Sequence, residues 1–526
     1  MGEEKLVNKS QGNKKASEVK TVPIPFPLGE LKENISIVTS NSTLRSNQKI
    51  INHAINLHSK GDFKEAAKYY QYIIDQGIND FGVLSNYGSL LIALGKSNDA
   101  EFYLRKAVKL KPDFAEGYAN LGTILMDLGE LEEAKILQIK AIKLKPNLSF
   151  SHFNLGNILR ALGELDQAES SYKRAIALNC QNSDFFKNLG KLYLHQGDYS
   201  SALKNFSKCF NLQRVATERN INHLESFRKI SKAKIDHDIE QFEYLANKSI
   251  NSEFFIDLST IYKSVSNQIN WPSFTEIIFL DDINYNLIKD SYNLPINLKE
   301  ARELDSHAIN ENINFDSITC DYFDHDYGAT YIDDFLCPEA LLSLRDFFLE
   351  STIWFFIKGG GYLGSYLEEG MASPLIFQIA EELRQRLPRI FKDHQLTYAW
   401  AFKYDSRSKI SNTDFSGINV HADQAAINVN FWITPSEANL NPDSGGLIIY
   451  DHEAPKDWDF KSFNNDEIKI QEELRECKGQ KTVINYKGNR AVIFNSNLFH
   501  ETDTYEFKEG YENRRINVTL LFGERN

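Results

Sequence analysis

The sequence predicts a multidomain protein with an all-α solenoid in its N-terminal part and an α+β domain at its C-terminal end. Two observations support this prediction. Small residues recur every 34 positions from about residue 46 to residue 214, and short β-branched runs replace that pattern after Tyr331. We expect four parts: a disordered or extended tail at 1–45, a repeat array at 46–214, a helical connector at 215–325 and a sheet-rich domain at 326–526.

The overall charge argues against an anionic polymer as the partner. The 526 residues include 59 Lys and Arg against 72 Asp and Glu, a formal net charge of −13. This balance disfavours non-specific binding to nucleic acid or to anionic membranes. No run approaches the ~20 apolar residues of a membrane span, and the N-terminus lacks the apolar stretch of a secretory signal. We expect a soluble, cytoplasmic protein, and the sequence leaves its oligomeric state open.

The tail and the cysteines carry little specific chemistry. Residues 1–45 are rich in Lys, Asn and Ser, and three prolines alternate with other residues between Val22 and Glu30. That composition favours an extended linker over a docking motif. The five cysteines are scattered and form no C-x-x-C pair, so we expect neither a disulfide framework nor a zinc finger.

Two residue series define the repeat. One series of glycines is spaced by 34 residues throughout: Gly61, Gly95, Gly129, Gly163 and Gly197. Alanines five positions later keep the same spacing: Ala66, Ala100, Ala134, Ala168 and Ala202. Each period reads as two amphipathic helices that approach closely at small residues and turn at a glycine.

This pattern resembles the tetratricopeptide repeat, of which we expect about five copies. The resemblance implies a stacked solenoid whose concave groove binds a protein or peptide. The alternative is an array that only spaces or oligomerises another part of the chain. Residues 215–325 keep a helical pattern without the period, as a connector or cap of such an array would.

The last 200 residues change to a sheet-forming pattern. Two amphipathic helices, one opened by Pro338 and one spanning 374–391, precede six short strands: LTYAWAFKYD, GINVHAD, AAINVNFWIT, GGLIIYD, RAVIFNS and RINVTLLFG. This order favours an α+β unit built on a β-sandwich or barrel. Residues 451–481, including His452, read as a loop that gates the substrate.

Three side chains in this region suit a metal ion. His421 and Asp423 form an H-x-D at the end of a predicted strand, so both point from one face. His500 ends another strand-like run 79 residues later. Two imidazoles and one carboxylate on one face form the facial triad of non-haem Fe(II) oxygenases, which leaves positions open for substrates.

The last strand supplies a candidate carboxylate-binding group. Alternation places Arg515, Asn517 and Thr519 on one face, while Arg514 faces the other way. A guanidinium in a pocket suits bidentate pairing with a free carboxylate.

Two neighbouring strands add further candidates. Tyr404 is either a hydrogen-bond donor to a cofactor carboxylate or a core aromatic, and Asn428 and Asn430 line the same interior, where they either contact the cofactor or satisfy backbone groups.

The order H-x-D, distal His, then Arg on the last strand resembles the Fe(II)/2-oxoglutarate-dependent dioxygenase superfamily, which includes the prolyl-4-hydroxylases. The resemblance covers about Tyr331 to Arg525 and implies a double-stranded β-helix, or jelly roll. It implies that Fe(II) is ligated by the catalytic residues His421, Asp423 and His500. It also implies that Arg515 binds the 5-carboxylate of 2-oxoglutarate, with O2 as the other cosubstrate of a C–H hydroxylation.

The same resemblance assigns supporting contacts to the cosubstrate, less directly, to Tyr404, Asn430 and Asn517.

Two alternatives to the peptide-directed oxygenase stay open. One is a non-catalytic interaction protein with an inert jelly roll, and the other is an oxygenase for a small molecule or glycan whose repeats self-associate.

Overall fold

The computed structural model describes residues 42–215, 226–248, 251–408, 418–477 and 480–525. The predicted tail therefore lies almost wholly outside the described residues. Packing divides the chain into two compact units, Met1–Gln181 and Asn182–Asn526.

Helical hairpins make up the described part of the first unit. Each odd-numbered helix packs on the next one along the chain: α1 (Ser42–Ser59), α2 (Phe63–Asp75), α3 (Phe81–Ala93), α4 (Ser97–Leu110), α5 (Ala115–Asp127), α6 (Leu131–Leu144), α7 (Ser149–Ala161) and α8 (Leu165–Leu178). The all-α solenoid predicted from the 34-residue period is confirmed.

The recurring glycines do two different jobs in these hairpins. Gly129 adopts φ +83° between α5 and α6, a backbone conformation that other residues rarely reach. Gly156 lies inside α7, where an added Cβ would fall 2.7 Å from the ring of Tyr172 in α8. Glycines at the equivalent position of each hairpin, also 34 residues apart, therefore set how closely its two helices approach: Gly88, Gly122, Gly156 and Gly190.

The second unit begins with helices and two very short strands. A hairpin of α9 (Ser183–Gln196) and α10 (Tyr199–Phe210) comes first and ends in a π-helical turn, Asn211–Val215. The following segment contains β1 (Lys229–Ile230), α11 (Lys232–Lys248), α12 (Ser252–Gln268), β2 (Ile278–Phe279), α13 (Asp282–Ile288) and α14 (Phe315–Asp324). Helices α11, α12 and α13 enclose their own apolar cluster, which includes Phe242 and Tyr262.

The sheet-rich part follows in the order β3 (Ala329–Ile332), α15 (Pro338–Glu350), β4 (Phe356–Ile357), β5 (Leu363–Tyr366), α16 (Pro374–Arg386), α17 (Pro388–Phe391), β6 (Leu396–Tyr404), β7 (Ile427–Trp432), β8 (Leu447–Glu453), α18 (Phe460–Asn464), α19 (Glu467–Cys477), β9 (Lys481–Ile484), β10 (Ala491–Asn495), β11 (Leu498–Thr502) and β12 (Arg515–Phe522). The predicted helix over 374–391 is broken before Pro388, because proline has no amide hydrogen to continue it.

Two antiparallel sheets form from these strands. The larger has the order β3-β10-β7-β12-β6-β5-β4, and the smaller has the order β11-β8-β9. One apolar cluster joins residues of both, with Trp432 and Phe494 from the larger sheet and Ile449 and Leu498 from the smaller. The predicted sheet-rich C-terminal region is confirmed at this level.

The segment predicted as a loop at 451–481 is mostly regular, which corrects that prediction. Strand β8 extends to Glu453, which pairs with Leu498 of β11, so His452 lies in a strand. Helix α19 forms because Ile470 and Leu474, four residues apart, are both buried on one face.

No helix in the described ranges is long and apolar enough to cross a bilayer.

Candidate active site

The structure brings the three predicted metal ligands together. Nε2 of His421 lies 3.7 Å from Oδ1 of Asp423, and Nε2 of His500 lies 3.4 Å from Oδ2 of the same carboxylate. Asp423 and His500 are 5% and 3% exposed. These donor atoms all lie within 4.8 Å of one another, so one ion could contact all three side chains.

Backbone pairing explains how ligands 79 residues apart meet. His421 and His500 form an isolated antiparallel bridge, with amide-to-carbonyl distances of 3.0 and 2.8 Å in the two directions. Each imidazole also places Nδ1 beside a carbonyl two residues earlier, 2.8 Å from Asn419 and 3.0 Å from Leu498. An Nδ1–H donated to a carbonyl leaves the Nε2 lone pair free to bind a metal.

The carboxylate is oriented by a residue from the large sheet. Nδ2 of Asn428 donates to Oδ2 of Asp423 at 2.7 Å. Burial opposes ionisation of Asp423, but hydrogen bonds and charge from the two histidines and Asn428 prevail, so its pKa is lowered. Burial, and next the neighbouring His500, lower the pKa of His421 to about 4. A neutral His421 imidazole beside an ionised Asp423 carboxylate is the combination of protonation states that metal binding requires.

Arg515 lies in the same cavity, held by backbone carbonyls. It is 2% exposed, and its Nε and Nη2 donate to the carbonyls of Gly445 and Gly446 at 2.9 and 3.3 Å. Its guanidinium carbon lies 4.7 Å from the ring centre of Tyr404, its cross-strand neighbour. Nη1 is buried and has no hydrogen-bond partner in the described part of the chain. A buried cation with a free N–H pair is suited to a carboxylate.

The remaining predicted residues surround this guanidinium. Asn430 and Asn517 both donate to the hydroxyl of Thr519, at 3.4 and 3.2 Å. Their side-chain oxygens and the hydroxyl of Tyr404 are buried and find no partner among the described residues. Burial raises the pKa of Tyr404, so its hydroxyl keeps its proton. These unpaired groups face a ligand-sized space.

That space is a cavity of ≈ 710 Å³. Aromatic side chains, amides and two lysines also line it. The aromatic lining comes from Tyr362, Tyr366, Tyr398, Trp400 and Phe402, and the amide lining from Asn419, Gln424, Asn464 and Asn465.

Several positions of the cavity could not be predicted from the sequence. The carbonyls of Gly445 and Gly446 anchor Arg515, at the start of a segment that the sequence predicts only as a strand. Lys191 reaches the cavity from α9, and Lys358 from the turn after β4. No local signal marks such contacts, because they depend on packing between distant segments.

Comparison with known proteins identifies the helical part. Residues 156–197 match the model described as "TPR repeat", and residues 82–114, 115–148 and 187–215 match "Tetratricopeptide repeat". These segments are tetratricopeptide repeats. The family predicted from the glycine and alanine series is therefore confirmed for this part of the chain.

Solved structures similar to the chain overlap about a third of it. Crystallised MamA is 26% identical, with 30% of this chain and 93% of that chain covered and a TM-score of 0.28. A thermophilic tetratricopeptide protein of Thermus thermophilus is 24% identical, covering 32% and 91%, with a TM-score of 0.29. YrrB, titled a repeat protein with an unusual peptide-binding site, is 20% identical, covering 33% and 94%, with a TM-score of 0.28. No curated protein matches the chain.

Proposed function

We propose that the protein is an Fe(II)- and 2-oxoglutarate-dependent dioxygenase that hydroxylates a C–H bond of its substrate. The observation that carries the proposal is one cavity that holds two imidazoles, a carboxylate and a buried arginine with an unpaired Nη1.

The donor set together with the arginine fits a non-haem iron. Two imidazoles and one carboxylate form the facial triad of Fe(II) oxygenases, whereas a calcium site prefers oxygen alone, and a three-ligand catalytic zinc site needs no carboxylate receptor such as Arg515 beside it. His421, Asp423 and His500 would hold the ion. Asn428 would keep the carboxylate oriented, and the carbonyls of Asn419 and Leu498 would keep both imidazoles in the required tautomer.

The cosubstrate also has a matched receptor. Arg515 would bind the distal carboxylate of 2-oxoglutarate through Nη1, while its other nitrogens stay on the glycine carbonyls. Tyr404 can donate its hydroxyl proton to the same carboxylate, and Asn430 and Asn517 bring polar groups alongside. With both groups bound, the centre would supply the coupled reaction of 2-oxoglutarate, O2 and R–H to succinate, CO2 and R–OH.

The sheet arrangement supports a jelly-roll scaffold for this chemistry. A larger and a smaller antiparallel sheet share one apolar cluster, and the metal-ligand group and Arg515 lie beside that cluster. His500 comes from the smaller sheet and Arg515 from the larger, so the site requires both.

The repeats give the enzyme a second binding element. We propose that they recruit a protein or peptide, the partner class typical of stacked helical hairpins. Lys191 of the last hairpin lines the cavity, which links that hairpin to the candidate site within the second unit. A glycan or other small molecule is the second candidate substrate, favoured by the aromatic faces and amides of the lining, which suit sugar rings and hydroxyls.

The test is an anaerobic titration with Fe(II) and 2-oxoglutarate followed by visible absorption. The proposal expects a metal-to-ligand charge-transfer band in the natural chain that is lost in His421→Ala and Asp423→Ala. His195→Ala, at an exposed position of α9, is the matched control and should keep the band. A folded natural chain without the band would overturn the proposal and favour the non-catalytic repeat protein.

A further inference from the structure

A second group of metal-ligating side chains lies outside the candidate active site. His452 of β8 faces Glu473 and Cys477, which are one turn apart on α19. The imidazole Nε2 lies 3.0 Å from Oε1 of Glu473 and 3.4 Å from Sγ of Cys477, and Sγ lies 3.5 Å from that carboxylate oxygen. Three different ligand types therefore meet at one point.

The separations of these atoms match one face of a zinc tetrahedron. With Zn–N, Zn–O and Zn–S lengths of about 2.1, 2.1 and 2.3 Å, tetrahedral angles place N and O about 3.4 Å apart and S about 3.6 Å from either. The three observed separations fall within about 0.4 Å of these values. Because Cys477 is exposed, the fourth position faces solvent and suits a water molecule.

We propose that His452, Glu473 and Cys477 bind a zinc ion that fastens α19 to β8. A thiolate, an imidazole and a carboxylate are the three side-chain ligands that Zn(II) commonly takes. The ligands come from two elements separated by 20 residues of chain, so the ion would close that loop and restrict the unfolded chain.

The fastened segment supports the neighbouring cavity. The amide of Ala422, between the two H-x-D ligands, donates to the carbonyl of Phe463 at 2.9 Å, and Asn464 donates to the carbonyl of Ala422 at 2.9 Å. Glu467, the first residue of α19, accepts from Asn419 at 2.6 Å. Zinc at the far end of α19 would therefore stabilise a segment that positions the His421 turn.

The proposed zinc site is independent of the proposed oxygenase chemistry. Its ligand set contains a thiolate, whereas the His421, Asp423 and His500 group contains none. A thiolate-to-metal charge-transfer band from Co(II), which replaces zinc in such sites, therefore reports on Cys477 and not on the iron site. The Co(II) titration can therefore fail while the titration with Fe(II) and 2-oxoglutarate succeeds, and the reverse.

The experiment titrates the full-length, reduced, metal-free protein with Co(II) and then displaces it with Zn(II). We expect one equivalent of the thiolate band, bleached by zinc, in the natural chain and in His421→Ala. Cys477→Ser should abolish the band, and Glu473→Gln should weaken Co(II) binding by more than about tenfold. Cys320→Ser and Glu472→Gln, which change another exposed cysteine and the adjacent acid, should bind as the natural chain does.

A second measurement uses only the natural chain, so it holds even if a variant fails to fold. Zinc should protect Cys477 from alkylation by at least about tenfold, and a chelator should restore the reaction. Cys320 in the same sample is the internal reference and should not respond. Absence of the band and of the protection in the folded protein would overturn the proposal, as would a band that persists in Cys477→Ser.

Discussion

Replacing Arg515 by lysine tests the central step of the proposed chemistry. Lysine keeps the positive charge but lacks the planar fork that reaches two backbone carbonyls and a ligand together. The guanidinium now donates to Gly445 and Gly446 and leaves Nη1 for a carboxylate. A lysine ammonium that stays on those carbonyls loses most of its contact with the ligand, and one that turns to the ligand leaves the carbonyls unpaired.

Either outcome removes about one charge-assisted hydrogen bond, worth roughly 2 kcal/mol. At 1.4 kcal/mol per factor of ten, the Kd for 2-oxoglutarate should rise about 30-fold. The assay is the anaerobic charge-transfer titration, with Fe(II) saturating and 2-oxoglutarate varied.

Arg514→Lys is a matched control on the next residue of the chain. Arg514 is also buried, but its guanidinium pairs with Glu240 and Asp405 instead of facing the cavity. This variant should lower thermal stability and leave 2-oxoglutarate affinity within about twofold of the natural chain. The reasoning is refuted if Arg515→Lys binds 2-oxoglutarate normally, or if both variants weaken binding equally.

Three further outcomes are expected. Gly156→Ala should destabilise the first unit by about 1–3 kcal/mol, because the added Cβ would lie 2.7 Å from the Tyr172 ring. An unchanged melting temperature of that unit would contradict this. Tyr404→Phe removes a buried, unpaired hydroxyl, so the melting temperature should not fall, whereas the Kd for 2-oxoglutarate should rise about fivefold. A normal affinity would show that Tyr404 is a core aromatic only. Burial, and next the charge of Lys403, hold the pKa of His237 well below its usual value. The unfolded chain binds a proton at His237 near pH 6.5 and the folded chain does not, so this residue alone should lower the free energy of unfolding by about 1 kcal/mol from pH 6.5 to 5.5. His237→Phe should reduce the pH dependence by that amount in urea titrations, and an unchanged pH dependence would exclude the assignment.

The repeat array could be predicted from the sequence because its physical requirements are local and recur. A glycine such as Gly129 must reach positive φ at each turn, and one such as Gly156 must admit a facing ring. Each requirement leaves its mark at a fixed spacing. The alternation of side chains along β12 could also be predicted from the sequence. Arg515 and Asn517 line the cavity, whereas Arg514 pairs with Glu240 and Asp405.

The α18–α19 segment could not be predicted in the same way. Its helices are short, and the apolar pair Ile470 and Leu474 is too brief a pattern to separate from a loop. Tertiary contacts stabilise the segment. Phe463, Ile470 and Leu474 share an apolar cluster with Phe499 and Ala422, and these two residues flank the candidate ligands. The carbonyls of Gly445 and Gly446 that hold Arg515 could not be predicted either, because every residue has a backbone carbonyl and no sequence pattern marks these two.

The buried charges of the connector show why the second unit includes helices beyond its sheets. Glu240 of α11 accepts from Arg514 at 2.7 Å, and Lys403 of β6 donates to the hydroxyl of Tyr511 at 2.7 Å. Tyr511 packs against the rings of His237 and Tyr244 of α11, so removing that helix would expose the Lys403 hydrogen bond to solvent. Removing α11 would take Glu240 from Arg514 and leave Asp405 as its acidic partner, so this buried guanidinium would lose one of two charge pairs. A fragment that begins at the first strand of the larger sheet should therefore melt at a lower temperature than the natural chain. The connector is better regarded as part of the scaffold of the candidate site than as a spacer.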